Sequence, residues 1–173
     1  DVYKRQGSMP LAFSYPLMKR YTYWPQFFLG ITFNYGLILG WICIKESLEI
    51  VPFLFYFGAI FWTLGYDTIY GFQDIKDDEI IGLKSTSIKF KKKPYFFLTL
   101  CYLIFFLCIA SVGVLMKFNF IYFAFLIIPL LHLFIHQIKK LDINDPNKCL
   151  KIFKSNNFFG LIVFVNLLIG KLY

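Results

Sequence analysis

Acid is scarce in this chain: ten Asp and Glu stand against 18 Lys and Arg in 173 residues. Charged residues make up only 16% of the sequence, below the roughly one quarter of a soluble globular domain. That shortage excludes a chain surrounded by water on all sides. Four cysteines occur, Cys43, Cys101, Cys108 and Cys149, without a C-x-x-C pair, so neither a zinc site nor a disulfide framework follows. Three of them lie in apolar runs, where a thiol behaves as a small hydrophobe. The two histidines, His132 and His136, have the i, i+4 spacing that can bind metal. No third ligand accompanies them, and packing near an interface is the expectation. Internal repeats and low-complexity tracts are absent. The first six residues, Asp1–Gln6, include no methionine and no long apolar core of a signal peptide. Residues 1–8 therefore read as a fragment end or a cloning scar.

What the chain has in excess is apolar surface, with 58% hydrophobic and 22% aromatic residues. Uncharged runs cover Tyr21–Ile44, Ile50–Tyr66, Pro94–Met116, Phe118–Ile138 and Ser155–Gly170. A spanning helix needs about 17–25 apolar residues. Three runs reach that length, the run from Ile50 does so by continuing toward Asp67, and the last is marginal. Five spans are expected, which makes this an all-α integral membrane protein with a multi-span helical bundle. Leu11–Tyr15 reads as the tail of an earlier helix, followed by a basic loop at Lys19-Arg20. Gly82 marks a backbone break in a loop over residues 80–93. A second loop covers Asp142–Lys154, with Ser155 as the N-cap of the last helix and Asn156 and Asn157 helping to cap it.

The surplus of positive charge has a side. Numbering the loops alternately puts Lys19, Arg20, Lys76, Lys84, Lys89, Lys91, Lys92, Lys93, Lys139, Lys140, Lys148, Lys151 and Lys154 on one face of the membrane. Lys45, Lys117 and Lys171 fall on the other. The positive-inside rule assigns the first set to the cytoplasm, with a bacterial inner membrane as the expected location. The Lys89–Lys93 run is expected to touch anionic membrane lipid. Such a distribution argues against nucleic acid as the partner.

Five of the ten acidic residues lie between 67 and 79: Asp67, Asp74, Asp77, Asp78 and Glu79. Charges placed at a bilayer are costly and usually functional. If the segment is one helix, Asp67, Asp74 and Asp78 fall within about 20° of one another, with Asp77 off the stripe. Converging carboxylates repel by roughly 4 kcal/mol per pair at 4 Å and an effective dielectric near 20. Either protonation or a cation must hold them together. Mg²⁺ prefers such oxygen donors and bridges carboxylate to phosphate, so the cluster reads as a Mg²⁺–diphosphate site at a membrane surface.

The stretch from Tyr66 to Ile88 has the form Y-D-T-x-Y-x-x-x-D-x-x-D-D-x-x-I-G-x-K-S-T. It resembles the second aspartate-rich motif of the UbiA superfamily of membrane prenyltransferases, in the branch that prenylates 4-hydroxybenzoate for ubiquinone. The segment Tyr15–Gln26 is similar to the family's Y-P-x-x-K-R-x-T-x-x-P-Q, and Phe153–Gly160 resembles the segment opening its last helix. The resemblance implies that residues 9–173 are the C-terminal part of a nine-helix prenyltransferase fold. The family's first motif, N-D-x-x-D-x-x-x-D, has no match here. By this resemblance the chain on its own is expected to be silent in catalysis.

What the resemblance implies for chemistry is Mg²⁺-dependent transfer of a polyprenyl group from polyprenyl diphosphate to an aromatic acceptor. Asp74 and Asp78 would hold the metal, with Asp67 as a further catalytic carboxylate. Lys19, Arg20 and Lys84 would meet the diphosphate or the substrate carboxylate, though each also reads as an interfacial anchor. Tyr15 and Tyr70 would line the substrate site, and Tyr66 reads as part of an aromatic belt. Asp77 and Glu79 read as solvated charges. Family members that make haem O or menaquinone are alternatives. A CDP-alcohol phosphotransferase would need an Asp-Gly pair, which the sequence lacks. A channel or transporter would place acids near the midplane of several spans, whereas here they gather at one edge.

Overall fold

Five helices long and apolar enough to cross a membrane run back and forth in this computed structural model. It describes residue 6 and residues 9–172, so the expectation for residues 1–8 falls almost wholly outside the described residues. The helices are α1 (Met9–Tyr21), α2 (Pro25–Lys45), α3 (Ile50–Gly71), α4 (Ile75–Ile81), α5 (Thr86–Lys89), α6 (Pro94–Leu115), α7 (Phe120–Phe125), α8 (Ile127–Leu131) and α9 (Pro146–Leu172). A π-helical stretch, His132–Ile138, continues α8. The spans are α2, α3, α6, the segment Phe120–Ile138, and α9. No strand occurs among the described residues.

Local chemistry accounts for the ends. Pro25 and Pro94 open α2 and α6, where a missing N–H costs nothing. Glu46 closes α2 in the left-handed region at φ 55°, its N–H bonded to the Ile42 carbonyl. The Asn119 side chain caps α7 by accepting from the Tyr122 N–H at 3.1 Å. Pro129 cannot bond to the carbonyl four residues back and crowds it, and α7 accordingly stops at Phe125.

Several boundaries differ from the sequence reading, and α5 forms inside the loop expected over residues 80–93. Lys19 and Arg20 are not in a loop but form the last turn of α1, where cations suit the carbonyl end of a helix. The final helix begins at Pro146, nine residues before the expected Ser155. Asp145 supplies the cap, accepting from the N–H groups of Asn147 and Lys148 at 3.0 and 3.1 Å. Ser155 instead donates to the Ile152 carbonyl inside the helix. Lys148, Lys151 and Lys154 are thus helical.

α3 lies at the centre, packed against α2, α6 and α9. The core gathers Leu64, Ile69, Leu98, Tyr102, Phe105, Tyr122, Leu133 and Phe159, none more than 1% exposed. Asn34 stitches α2 to α3 by donating to the Thr63 hydroxyl and the Gly30 carbonyl, both at 2.8 Å. At the basic end, the segment Ser85–Ser87 is drawn under α3. Gln26 accepts from the Thr86 N–H at 3.0 Å, Thr86 and Thr68 share a hydroxyl bond of 2.6 Å, and Ser87 donates to the Thr68 carbonyl at 2.8 Å. Gly71 permits this approach, since a Cβ there would overlap the Ser87 hydroxyl.

Candidate functional site

The basic end of the bundle brings together residues far apart in sequence. Asp67 lies one turn before the end of α3 and is half-buried. Lys19, in the last turn of α1, lies within electrostatic reach of it without forming an ion pair. Tyr15, one turn earlier on α1, feels the charge of Asp67 and the hydroxyl of Tyr70. Lys84 is pinned to the same place by its backbone, whose N–H donates to the Lys19 carbonyl at 2.8 Å. Its ammonium donates to the Tyr21 carbonyl at 3.4 Å and lies 5.7 Å from the Tyr23 ring centroid. Arg20 is exposed beside them. Tyr70 stacks obliquely on Phe153 of α9, with centroids 4.7 Å apart.

Asp74 and Asp78 stand apart from Asp67. The single stripe expected for a continuous helix does not form, because α3 ends at Gly71. Its last turn tightens through bonds from the Phe72 N–H to the Ile69 carbonyl and from the Gln73 N–H to the Tyr70 carbonyl. Phe72 turns into the core, 2% exposed, and burial of that ring redirects the chain. Asp74 then sits at the N-cap position of α4, exposed, with Asp78 half-buried one turn later. The Asp78 N–H donates to the Asp74 carbonyl at 2.9 Å, so this pair shares one face of the first turn. Gly82, at φ 77°, ends α4 in a conformation that favours glycine. Glu79 pairs with Lys91, and Asp77 is exposed.

Among the described residues no three His, Cys, Asp or Glu side chains gather closely enough to hold a metal ion. Asp74 and Asp78 nonetheless make no ion pair with any described residue. Mg²⁺ is typically held by one or two carboxylates, with phosphate oxygens and water completing the shell. Two hard oxygen donors on one helical turn, claimed by no lysine, fit that requirement.

A chain of cavities leads away from Asp67. The first, of about 480 Å³, is lined by Asp67, Tyr66, Trp62, Phe33, Phe153 and Asn156. A second, of about 230 Å³, shares its Trp62 and Gly160 walls and continues past Asn34, Phe55 and Phe105. The third, of about 400 Å³, shares Leu37, Phe55 and Leu167 with the second and reaches Trp41 and Lys45 at the opposite end. The three cavities thus lie in succession, an acidic mouth followed by apolar hollows, along most of the length of α2 and α3.

The wall of the first cavity rests on a polar network centred on Asn156, which the sequence reading placed at a helix cap. Asn156 is buried in α9 rather than capping it, and its Oδ1 accepts from Trp62 Nε1 and from Gln137 Nε2, both at 2.9 Å. The Tyr102 hydroxyl donates to Gln137 Oε1 at 2.5 Å. His132 lies 3.3 Å from Gln137 Nε2 and stacks on His136 with centroids 4.9 Å apart. A signal for these residues did exist. Asn34, Gln137, Asn156 and Asn166 interrupt apolar runs, and an amide inside a membrane must find a partner.

The description "UbiA prenyltransferase family" matches residues 7–167. The chain is 45% identical over 167 residues to the mitochondrial 4-hydroxybenzoate polyprenyltransferase of Bos taurus and 44% over 168 residues to that of Homo sapiens. Each match covers 96% of this chain and 45% of the relative. The 4-hydroxybenzoate geranyltransferase 2 of Lithospermum erythrorhizon is 40% identical over 172 residues, or 95% of this chain and 54% of that one. The chain thus spans about half the length of the curated relatives it matches. No solved structure matches it. Mitochondrial animal proteins among these relatives give no support to a bacterial inner membrane, and that expectation is withdrawn. With its five apolar spans and a family match that leaves only the two ends uncovered, this chain belongs to the UbiA prenyltransferase family.

Proposed function

We propose that the chain forms the second-motif half of a membrane enzyme that transfers a polyprenyl group from polyprenyl diphosphate to 4-hydroxybenzoate. The observation carrying this reading is the acidic mouth at Asp67 at the head of a series of apolar cavities, with Asp74 and Asp78 on the short helix that follows α3. These cavities suit an isoprenoid tail, whose burial is favourable at about 25 cal/mol per Å² of apolar surface. A diphosphate would then lie at the mouth.

Mg²⁺ held by Asp74 and Asp78 would neutralise the leaving diphosphate. Lys19, Arg20 and Lys84 supply positive charge around the same mouth, for the diphosphate or the benzoate carboxylate. Tyr15, Tyr66 and Tyr70 bring hydroxyls and ring faces to the aromatic acceptor. Asp67, set against Lys19, faces the cavity where charge develops on the allylic carbon. As the allylic C–O bond breaks, its electron pair leaves with the diphosphate. A new C–C bond forms ortho to the phenol, and the ring proton passes to water. Trp62, Tyr66 and Phe153 set apolar rings around Asp67, which would limit the water able to capture the allylic centre first.

The test uses this chain co-expressed with the N-terminal half of the bovine relative, assayed for prenylated 4-hydroxybenzoate. Product is expected only with Mg²⁺, and Asp74→Ala or Asp78→Ala should abolish it while membrane insertion persists. Near-parental turnover in either variant at saturating Mg²⁺ would remove that aspartate from the metal site. An unsubstituted pair that assembles but makes no product would overturn the transfer reading.

A further inference from the structure

On the far side of α9 from the Asp67 mouth lies a second polar cavity, of about 540 Å³, lined by His136, Lys140, Lys148, Lys151, Ile152 and Ser155. Residues 148, 151, 152 and 155 share one face of α9, whereas Phe153, Asn156, Asn157 and Gly160 line the Asp67 cavity from another. Ile152, 4% exposed, and the buried Asn156 stand between them. We propose that this cavity binds the phosphodiester headgroup of an anionic phospholipid.

Three observations converge on that ligand. Lys148 is already paired with Asp142 and Asp145, at 3.4 and 3.7 Å. Lys140 and Lys151 make no ion pair with a described residue, so two uncompensated ammonium groups flank one cavity. The Nδ1 of His136 is buried without a hydrogen-bond partner. The atom is enclosed, so a turn of the ring toward the cavity would bring it, in its N–H tautomer, to an acceptor oxygen there. The position is also that of a headgroup, since Lys140 lies two residues beyond the span Phe120–Ile138, while Leu131 and Ile135 on that span expose 47% and 50% of their surface for acyl chains. Basic pockets between helices at this depth bind phosphate headgroups, at about 1 kcal/mol for each Lys or Arg near the surface. Free phosphate offers the same charge but nothing for the flanking apolar surface.

Native mass spectrometry of the full chain, released from neutral detergent, reads the site directly. Phosphatidylglycerol adducts should exceed phosphatidylcholine adducts of the same acyl length. Lys140→Gln with Lys151→Gln, both exposed in the structure, should weaken the phosphatidylglycerol adduct by about 30-fold, or about five-fold for each charge. Lys92→Gln with Lys93→Gln removes equal charge at the same end and should leave the adduct unchanged. An equal loss in that control, or no preference over phosphatidylcholine, would overturn the proposal. Inorganic phosphate at millimolar concentration should not displace the lipid. Phosphate binding that depends on Lys140 and Lys151 without any lipid adduct would make the cavity a free-anion site and refute a lipid one.

Discussion

Trp62 of α3 donates its indole N–H to Asn156 of α9 at 2.9 Å, across 94 positions of sequence. That bond joins two walls of the Asp67 cavity, and Gln137 reaches the same oxygen from the π-helical stretch. The cavity is thus held open by an amide rather than by apolar packing alone.

Asn156→Leu should therefore strip acceptors from two buried donors at once. Interhelical hydrogen bonds in membranes contribute about 0.6–2 kcal/mol each, and the unpartnered groups add their own cost. A loss of about 2–3 kcal/mol is expected on that basis. Reversible unfolding in detergent or bicelles checks it. A variant as stable as the parent would show that Trp62 and Gln137 find other partners.

Gly160 lies where the first and second cavities meet, and a Cβ there would come no closer than 3.6 Å to the Trp62 ring. Gly160→Phe should fit yet obstruct the row of cavities. In the assembled enzyme this variant should retain geranyl diphosphate as donor and lose longer polyprenyl diphosphates by about tenfold or more, since excluding two isoprene units forfeits several kcal/mol of burial. Relative kcat/KM for donors of increasing length is the measurement. A uniform loss at all lengths would argue against these cavities as the tail site.

Topology follows from the charge distribution, now set on the structure with Lys19, Lys84 and Lys140 at one end and Lys45 and Lys117 at the other. A cysteine in place of Lys91, with Cys43 replaced to clear the background, should react only with reagents on the side of the membrane that the positive-inside rule assigns to the basic loops. One in place of Lys117 should react only from the opposite side. Reversed labelling would invert the orientation and move the acidic mouth to the opposite face.

The spans were legible because long uncharged runs admit few other structures, and the five runs between Tyr21 and Gly170 each contain a helix at the expected place. Local motifs also marked Asp67, Lys19 and Tyr15, which the fold does bring together. The turn at Phe72–Asp74 was not legible, because helical periodicity carries no record of where one ring finds a pocket in the core. Nor was the start of α9: Asp145-Pro146 reads as a turn until the side chain of Asp145 is seen capping the helix. The Asn156 network escaped for a similar reason, since a polar residue near a basic segment reads as a cap when its partner lies 94 positions away.

The break after Gly71 has a mechanical consequence. Asp67 is carried by a helix wedged among three others, so its carboxylate moves only if the bundle does. Asp74 and Asp78 ride on α4, a seven-residue helix with no buried residue, bounded by a tight turn and by Gly82. Few tertiary contacts mean a low free energy of local displacement. One carboxylate is thus a fixed post, and the other two form a compliant arm. Under the proposed function, such an arm would follow a diphosphate as it withdraws from the allylic carbon, while the post keeps its place beside the cavity. The same compliance would have an entropic cost, because the arm must be ordered each time a ligand is gripped.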